Sequence, residues 1–146
     1  MPESRLVSLG YEGRSVNDVV AELIRESVTV LVDVRLTPLS RKPGLSKRKL
    51  AEALEAAGIR YVHLRALGNP KDNRAQFRAG DPRSHAVFRR LIAAGEGAQA
   101  LRRVAQLLDH HTVALLCYER DHHACHRGLI AAELQRAEPA LDVVQL

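Results

Sequence analysis

The sequence predicts an α/β domain of three layers: an open, mainly parallel sheet of about five strands with helices on both faces. Three observations predict it. Strand-like and helix-like patterns alternate along the 146 residues, the order that builds parallel sheets. The run Thr29-Val30-Leu31-Val32-Asp33-Val34 is apolar and β-branched without alternation, as a strand covered on both faces must be. The helical stretches carry their apolar residues on one stripe, so each has a single face to bury against such a sheet.

Leu6 to Leu9 is a first short strand, ending at Gly10. Ser15 caps a helix with Val16, Val19, Val20, Leu23 and Ile24 on one stripe and Asp18 in the first turn, running to about Ser27. The Thr29 to Val34 run is the second, central strand. Pro38 and Pro43-Gly44 mark a loop, and Ser46 caps a second helix with Leu50, Ala53, Leu54 and Ala57 on one face, ended by Gly58. Arg60 to Leu64 is a third strand. Asn69-Pro70 through Gly80 reads as a long polar, basic loop, after which Asp81-Pro82 supplies an N-cap and a first-position proline for a helix stopping near Gly95. Leu101, Val104, Ala105 and Leu108 mark another helix, to about His111. Thr112 to Cys117 is the fourth strand, His126 to Arg136 a helix stopped before Pro139, and Asp142 to Leu146 a last short strand. Nothing repeats, and a single domain over residues 1–146 fits the length.

With 46% hydrophobic and 27% charged residues the chain can build a real core. No apolar run approaches the roughly eighteen residues of a membrane span, and Met1-Pro2-Glu3-Ser4-Arg5 lacks the pattern of a signal peptide. Two cysteines, Cys117 and Cys125, are too few for a disulfide framework. The expectation is a cytoplasmic protein with free thiols and no membrane partner. The net charge is +5, and the excess is local: Arg35 to Lys49 holds six basic residues and no acidic one, Arg60 to Arg90 eight basic and two acidic. Such stretches attract anions. The few aromatics, Tyr11, Tyr61, Tyr118, Phe77 and Phe88, make a poor stacking platform for single-stranded nucleic acid.

In a parallel sheet, ligands bind beyond the carboxyl ends of the strands, where loops and helix N-termini converge. The first strand runs into Gly10-Tyr11-Glu12-Gly13-Arg14-Ser15, the second into Asp33 and Arg35, the third into His63 and Arg65, and the fourth into Cys117-Tyr118-Glu119, with Cys125-His126-Arg127 to follow. Cys125 has the best chemical setting. It falls just before a predicted helix, where unpaired backbone N–H groups and the helix dipole favour an anion, and a thiolate is the nucleophilic form of cysteine. Cys117, at the end of an apolar strand, reads as a small hydrophobe.

Phosphatase and rhodanese loops also place a cysteine after a central strand and an arginine at the next helix. Counted from Cys117, however, the arginine position of a C-x-x-x-x-x-R loop holds His123, and the arginine comes only at Arg127. Asp33-Val34-Arg35 resembles the D-x-R strand end of a rhodanese domain. Cys117, His122, His123, Cys125 and His126 offer donors enough for zinc, but in no established ligand spacing, so no metal is assigned. Gly10-x-x-Gly13 is not a dinucleotide fingerprint and no P-loop occurs, so no cofactor is expected.

Six stretches in order carry a resemblance: Leu9 to Ser15, Leu31 to Arg35, Ser40 to Lys47, Gly58 to Leu64, Leu67-Gly68, and Leu115 to Glu119 followed by Cys125-His126-Arg127. Together they resemble the prokaryotic family called domain of unknown function 488. The resemblance implies a small α/β domain whose motifs fall on Tyr11, Gly13, Arg14, Asp33, Arg35, Ser40, Arg41, His63, Cys117, Glu119, Cys125, His126 and Arg127, and it brings no reaction with it. These motifs coincide with the strand ends named above.

The leading expectation is an enzyme, or an enzyme-derived binding protein, with an anion-binding cleft at the carboxyl edge of the sheet that takes a phosphate-bearing substrate, either a nucleotide or nucleic acid. Arg14, Arg35, Arg41 and Arg127 would hold the phosphate by charge-assisted hydrogen bonds, with Tyr11, Gly13 and Ser40 completing the binding set. Cys125 would be the nucleophile or an oxyanion-site residue, His126 or His63 the acid–base group, and Asp33 or Glu119 the group that orients them. The alternatives are a non-enzymatic nucleic-acid-binding module using the basic loop 35–49 and a stress-linked regulatory module with a structural metal.

Overall fold

The computed structural model describes residues 4–146. Its sheet has five strands, all parallel: β1 (Arg5–Gly10), β2 (Val30–Asp33), β3 (Arg60–His63), β4 (Val113–Cys117) and β5 (Asp142–Gln145), in the order β3-β2-β4-β1-β5. Six helices surround it: α1 (Val16–Arg25), α2 (Lys47–Ala56), α3 (Arg74–Arg78), α4 (Pro82–Ala93), α5 (Gly95–Leu108) and α6 (Arg127–Ala137).

The two faces of the sheet bury separate cores. On one, Val7, Leu9, Leu31, Ala114 and Leu116 meet Val19 and Leu23 of α1 and Leu50 and Leu54 of α2. On the other, Leu6, Val30, Val32, Val113 and Leu115 meet α4, α5 and α6 through Phe88, Ile92, Val104, Ile130 and Leu134. Local sequence sets the helix starts. Ser15 and Asp18 form a reciprocal capping box on α1, and Asp81 caps α4 ahead of Pro82.

The chain leaves β1 for α1 on one face and β4 for α6 on the other, while β1 and β4 lie side by side with Gly10 opposite Cys117. A crevice opens where neighbouring strands send their connections to opposite faces. The pairing continues past the strands, with Tyr11 N–H donating to the Cys117 carbonyl at 3.1 Å and Glu12 N–H to that of Tyr118 at 2.9 Å.

One expectation fails. The 69–80 segment is not a loop: it holds a 3-10 helix, Lys71–Asn73, and then α3. Its polar composition hides one anchor, Phe77, which is buried, stacked on His85 at 4.1 Å and edge-on to Phe88. Asn73 and Ser84 tie the segment to the start of α4 through hydrogen bonds of 2.9 to 3.1 Å. Among the described residues no helix is long and apolar enough to cross a membrane.

Gly10 marks the closest approach at the crevice. A Cβ there would lie 1.8 Å from the Glu119 carbonyl oxygen and 2.8 Å from the Arg120 Cα, so the chain leaving β4 crosses directly over it. Gly10→Ala is expected to lower stability by at least about 2 kcal/mol, since the obstructing atoms are backbone; an unchanged denaturant midpoint would show that the loop can lift away without cost.

Candidate active site

A cleft of about 190 Å³ opens at the carboxyl ends of the strands. Cys117, Cys125 and His126 lie at it together with Tyr11, Arg35 and Glu119, and the segment before α4 contributes Asn69, Arg74 and Arg78. Topology explains the first group, because these residues end β1, β2 and β4 or precede α6.

His126 is buried at the inner wall of the cleft and its two ring nitrogens do different work. Nε2 donates to the Val34 carbonyl at 2.7 Å. Nδ1 faces two sulfurs, Cys125 Sγ at 3.5 Å and Cys117 Sγ at 4.0 Å. Glu119 stands beside them, its Oε2 3.6 Å from Cys117 Sγ and its Oε1 3.2 Å from Arg78 Nε. The neighbouring Cys125 sulfur and burial push the Cys117 thiol well up, so it stays protonated. Burial alone would push His126 down, but the Cys117 sulfur, the Val34 carbonyl and Glu119 outweigh it and raise the imidazole. Burial likewise opposes ionisation of Glu119, yet its own backbone N–H, Cys125, His126 and Arg78 hold it below the usual carboxylate range.

A second polar group braces the cleft wall. Arg35 and Asp33 form a buried bidentate pair, Nε to Oδ1 at 2.9 Å and Nη2 to Oδ2 at 2.7 Å. Tyr61 donates its hydroxyl proton to Asp33 Oδ2, Arg35 Nη1 donates to the Leu45 carbonyl at 2.6 Å, and His63 Nε2 donates to the Arg35 carbonyl at 2.8 Å. Burial presses the Arg35 guanidinium down, but its bonds to Asp33 more than reverse this, while burial and the bond to Asp33 raise the Tyr61 phenol. These groups spend their hydrogen-bonding capacity on one another. Arg35 keeps its place on the cleft wall through a ring contact with Tyr11, 5.4 Å from guanidinium carbon to centroid.

The family profile named Domain of unknown function DUF488 matches residues 15–134. The chain belongs to this family. No curated protein and no solved structure matches it.

The positions expected from the DUF488 motifs divide into three groups. Tyr11, Arg35, Cys117, Glu119, Cys125 and His126 line the cleft. Asp33 and His63 lie behind its wall in the Arg35 network. The others do not line it. Gly13, with φ of 76°, allows the turn that carries Arg14, whose Nη1 donates to the Gly10 carbonyl at 2.7 Å. Burial and then the charges of Arg120 and Arg127 lower the Arg14 guanidinium, so cations crowd this turn. Ser40 accepts from Lys42 N–H within the β2–α2 loop, and Arg41 is exposed there. Arg127 is fully buried, with Nε donating to Ser8 Oγ at 2.8 Å, Nη2 to the Glu119 carbonyl at 2.7 Å, and Nη1 without a partner among the described residues.

Asn69, Arg74 and Arg78 carried no signal in the sequence, and Cys117 stood among the family motifs and possible metal donors without a catalytic or binding role. Arg74 and Arg78 are spaced i, i+4, a helical spacing visible only once 69–80 is seen to be ordered. Cys117 read as a strand-end hydrophobe, yet the sharp return of the chain at residues 122–126 brings Cys125 and His126 back onto it.

Two predictions follow from these networks. Asp33→Asn leaves Arg35 as a buried, unpaired cation and is expected to cost about 3 to 5 kcal/mol, measured by denaturant unfolding; a loss below 1 kcal/mol would mean that the Leu45 carbonyl and Tyr11 suffice. His122 is buried against Arg127, accepts from Ser8 Oγ at 2.7 Å, and is lowered to about 4 by burial and then by Arg127 and His123, with Asp121 opposing. Its folded pKa lies below the ordinary value of about 6.5, so it stabilises the fold fully above that value and loses the contribution as pH falls toward 4. His122→Gln should therefore flatten the stability profile between pH 6.5 and 4 relative to wild type, and parallel profiles would refute the assignment.

Proposed function

We propose that the cleft is the active site of an enzyme in which Cys125 acts as nucleophile and His126 as its base on an anionic, phosphate-bearing substrate. The observation that carries this reading is the His126 geometry. Its Nε2 is fixed on the Val34 carbonyl, and Nδ1 is thereby aimed at Cys125 Sγ, 3.5 Å away. A base within reach of a nucleophile and itself oriented by a third group is the arrangement that activates a thiol.

The preference for an anion is supported by Arg74 and Arg78 at the cleft. Arg74 spends only Nε, on the Asn69 carbonyl at 3.2 Å, and among the described residues it pairs with no carboxylate. In the proposed reaction Nδ1 takes the Cys125 proton as Sγ bonds to the electrophilic centre of the substrate. The leaving group departs with its bonding electrons and takes that proton from Nδ1. Water, deprotonated by the same nitrogen, then releases the adduct and restores the thiol. The cleft's size suits the reacting end of a substrate, with the remainder outside.

A non-enzymatic nucleic-acid-binding reading is favoured by a different observation. Arg41, Lys47, Arg48 and Lys49 are exposed on one loop and helix start, with only Arg48 paired to a carboxylate, Glu52, among the described residues. Lys42 of the same stretch is spent internally, on the Tyr11 and Arg14 carbonyls. That reading expects binding that weakens steeply with salt and is indifferent to Cys125→Ser.

Alkylation tests the thiol reading without a known substrate. Relative to a small thiol, Cys125 should react faster with iodoacetate than with neutral iodoacetamide, and Arg74→Ala/Arg78→Ala should abolish the difference. His126→Ala should slow both reagents about 100-fold. Equal rates in wild type and His126→Ala would overturn the proposal.

A further inference from the structure

We propose that Cys117, Cys125 and His126 form a binding site for a divalent cation of the zinc class. Their three donor atoms, the two Sγ and His126 Nδ1, all lie within 4.8 Å of one another and all belong to buried residues. A tetrahedral zinc ion sits about 2.3 Å from sulfur and about 2.0 to 2.1 Å from nitrogen, which sets sulfur and nitrogen about 3.6 Å apart and two sulfurs about 3.8 Å apart. The nitrogen stands 3.5 Å from one sulfur and 4.0 Å from the other. The two nitrogen–sulfur distances are within a few tenths of an ångström of those values, and the sulfurs, within 4.8 Å of each other, close on the ion by a small approach.

The surroundings support a metal independently. A histidine that ligates zinc characteristically donates its other ring N–H to a backbone carbonyl or carboxylate, which holds the ring and directs the free nitrogen at the ion. The Val34 carbonyl does this at 2.7 Å. The sulfurs come from separate elements, the last residue of β4 and the residue after the 3-10 helix His122–Ala124, so the donors are held by the fold. Two thiolates balance the ion's charge, and two thiolates with one imidazole are the donor set that zinc prefers over harder cations. All three residues line the cleft, so the fourth coordination position faces it, next to Glu119, whose Oε2 is 3.6 Å from Cys117 Sγ. His122 and His123, counted among possible donors from sequence, stay outside, His122 bonded to Ser8 and His123 exposed.

The ion would occupy the Cys125 sulfur and the His126 nitrogen that the thiol reaction needs, so the loaded protein is a masked form. This consequence rests on the proposed function; binding of the ion does not. Metal binding replaces the thiol protons, which pass to solvent.

The test uses the full chain, reduced and stripped with a chelator, and titrated with cobalt(II). The expected result is one ion per chain, with a sulfur-to-cobalt charge-transfer band and intense tetrahedral visible bands that zinc abolishes. Cys117→Ser should weaken binding by more than the roughly 10 to 100-fold that follows loss of a residue which only orients a ligand. A titration without a sulfur charge-transfer band, or one unchanged in Cys117→Ser, would overturn the proposal. Should that variant not fold, wild type still decides: zinc, but not magnesium, should protect both cysteines from alkylation as mapped by mass spectrometry, and no protection overturns the site. Alkylation of Cys125 in the metal-free wild type reports on the thiol reading alone, so either proposal can fail without the other.

Discussion

The ion pair between Asp33 and Arg35 is the constraint around which the carboxyl edge of the sheet is built. Neither charge can stay in the interior alone, since each would lose several kcal/mol of hydration, so each donor and acceptor must find a partner in the fold. The pair draws them from far along the chain: the Tyr61 hydroxyl on β3, the Leu45 carbonyl in the loop before α2, and the Tyr11 ring after β1. Three strand ends and one loop are thereby held in one arrangement, and the cleft inherits its wall from it. A cleft wall made from a saturated arginine presents shape and field, while the arginines with spare donors stand on α3.

His126 is the second fixed point, and it shows how one geometry suits two chemistries. A ring anchored through Nε2 is an oriented base when a single thiol faces Nδ1, and an oriented ligand when two do. Here two do. The proton that Nδ1 would accept and the cation that it would ligate compete for the same lone pair, which is why the proposed ion and the proposed reaction exclude one another at this site. Arg127 adds to the electropositive setting just beyond, a buried cation whose partners among the described residues are Ser8 and the Glu119 carbonyl.

Much of the fold was legible in the sequence because its signals are local. The unalternating run at 29–34, the caps at Ser15 and Asp81-Pro82, and the one-sided stripes of the helices each report a burial pattern that neighbouring residues suffice to display. The segment 69–80 was not legible, because its order comes from one aromatic, Phe77, packed on residues of α4, and polar flanking residues mask a single anchor. The candidate site was legible in part. Strand-end position identified Tyr11, Arg35, Glu119, Cys125 and His126, since in a parallel sheet those ends share one edge.

The sequence by itself determined the class of fold, the edge at which polar chemistry gathers, and the cysteine and histidine that stand there, all through patterns spanning a few residues. Only the tertiary structure decided which groups are free and which are spent. Asp33, Arg35 and His63 look like site residues in the chain and prove to be bonded to one another, whereas Cys117 looks like core and proves to face His126. The physical reason is that a polar side chain's role depends on which partners saturate it. Those partners lie many residues away, where only the register of β1 against β4 and the return of the chain before α6 bring them within hydrogen-bonding distance.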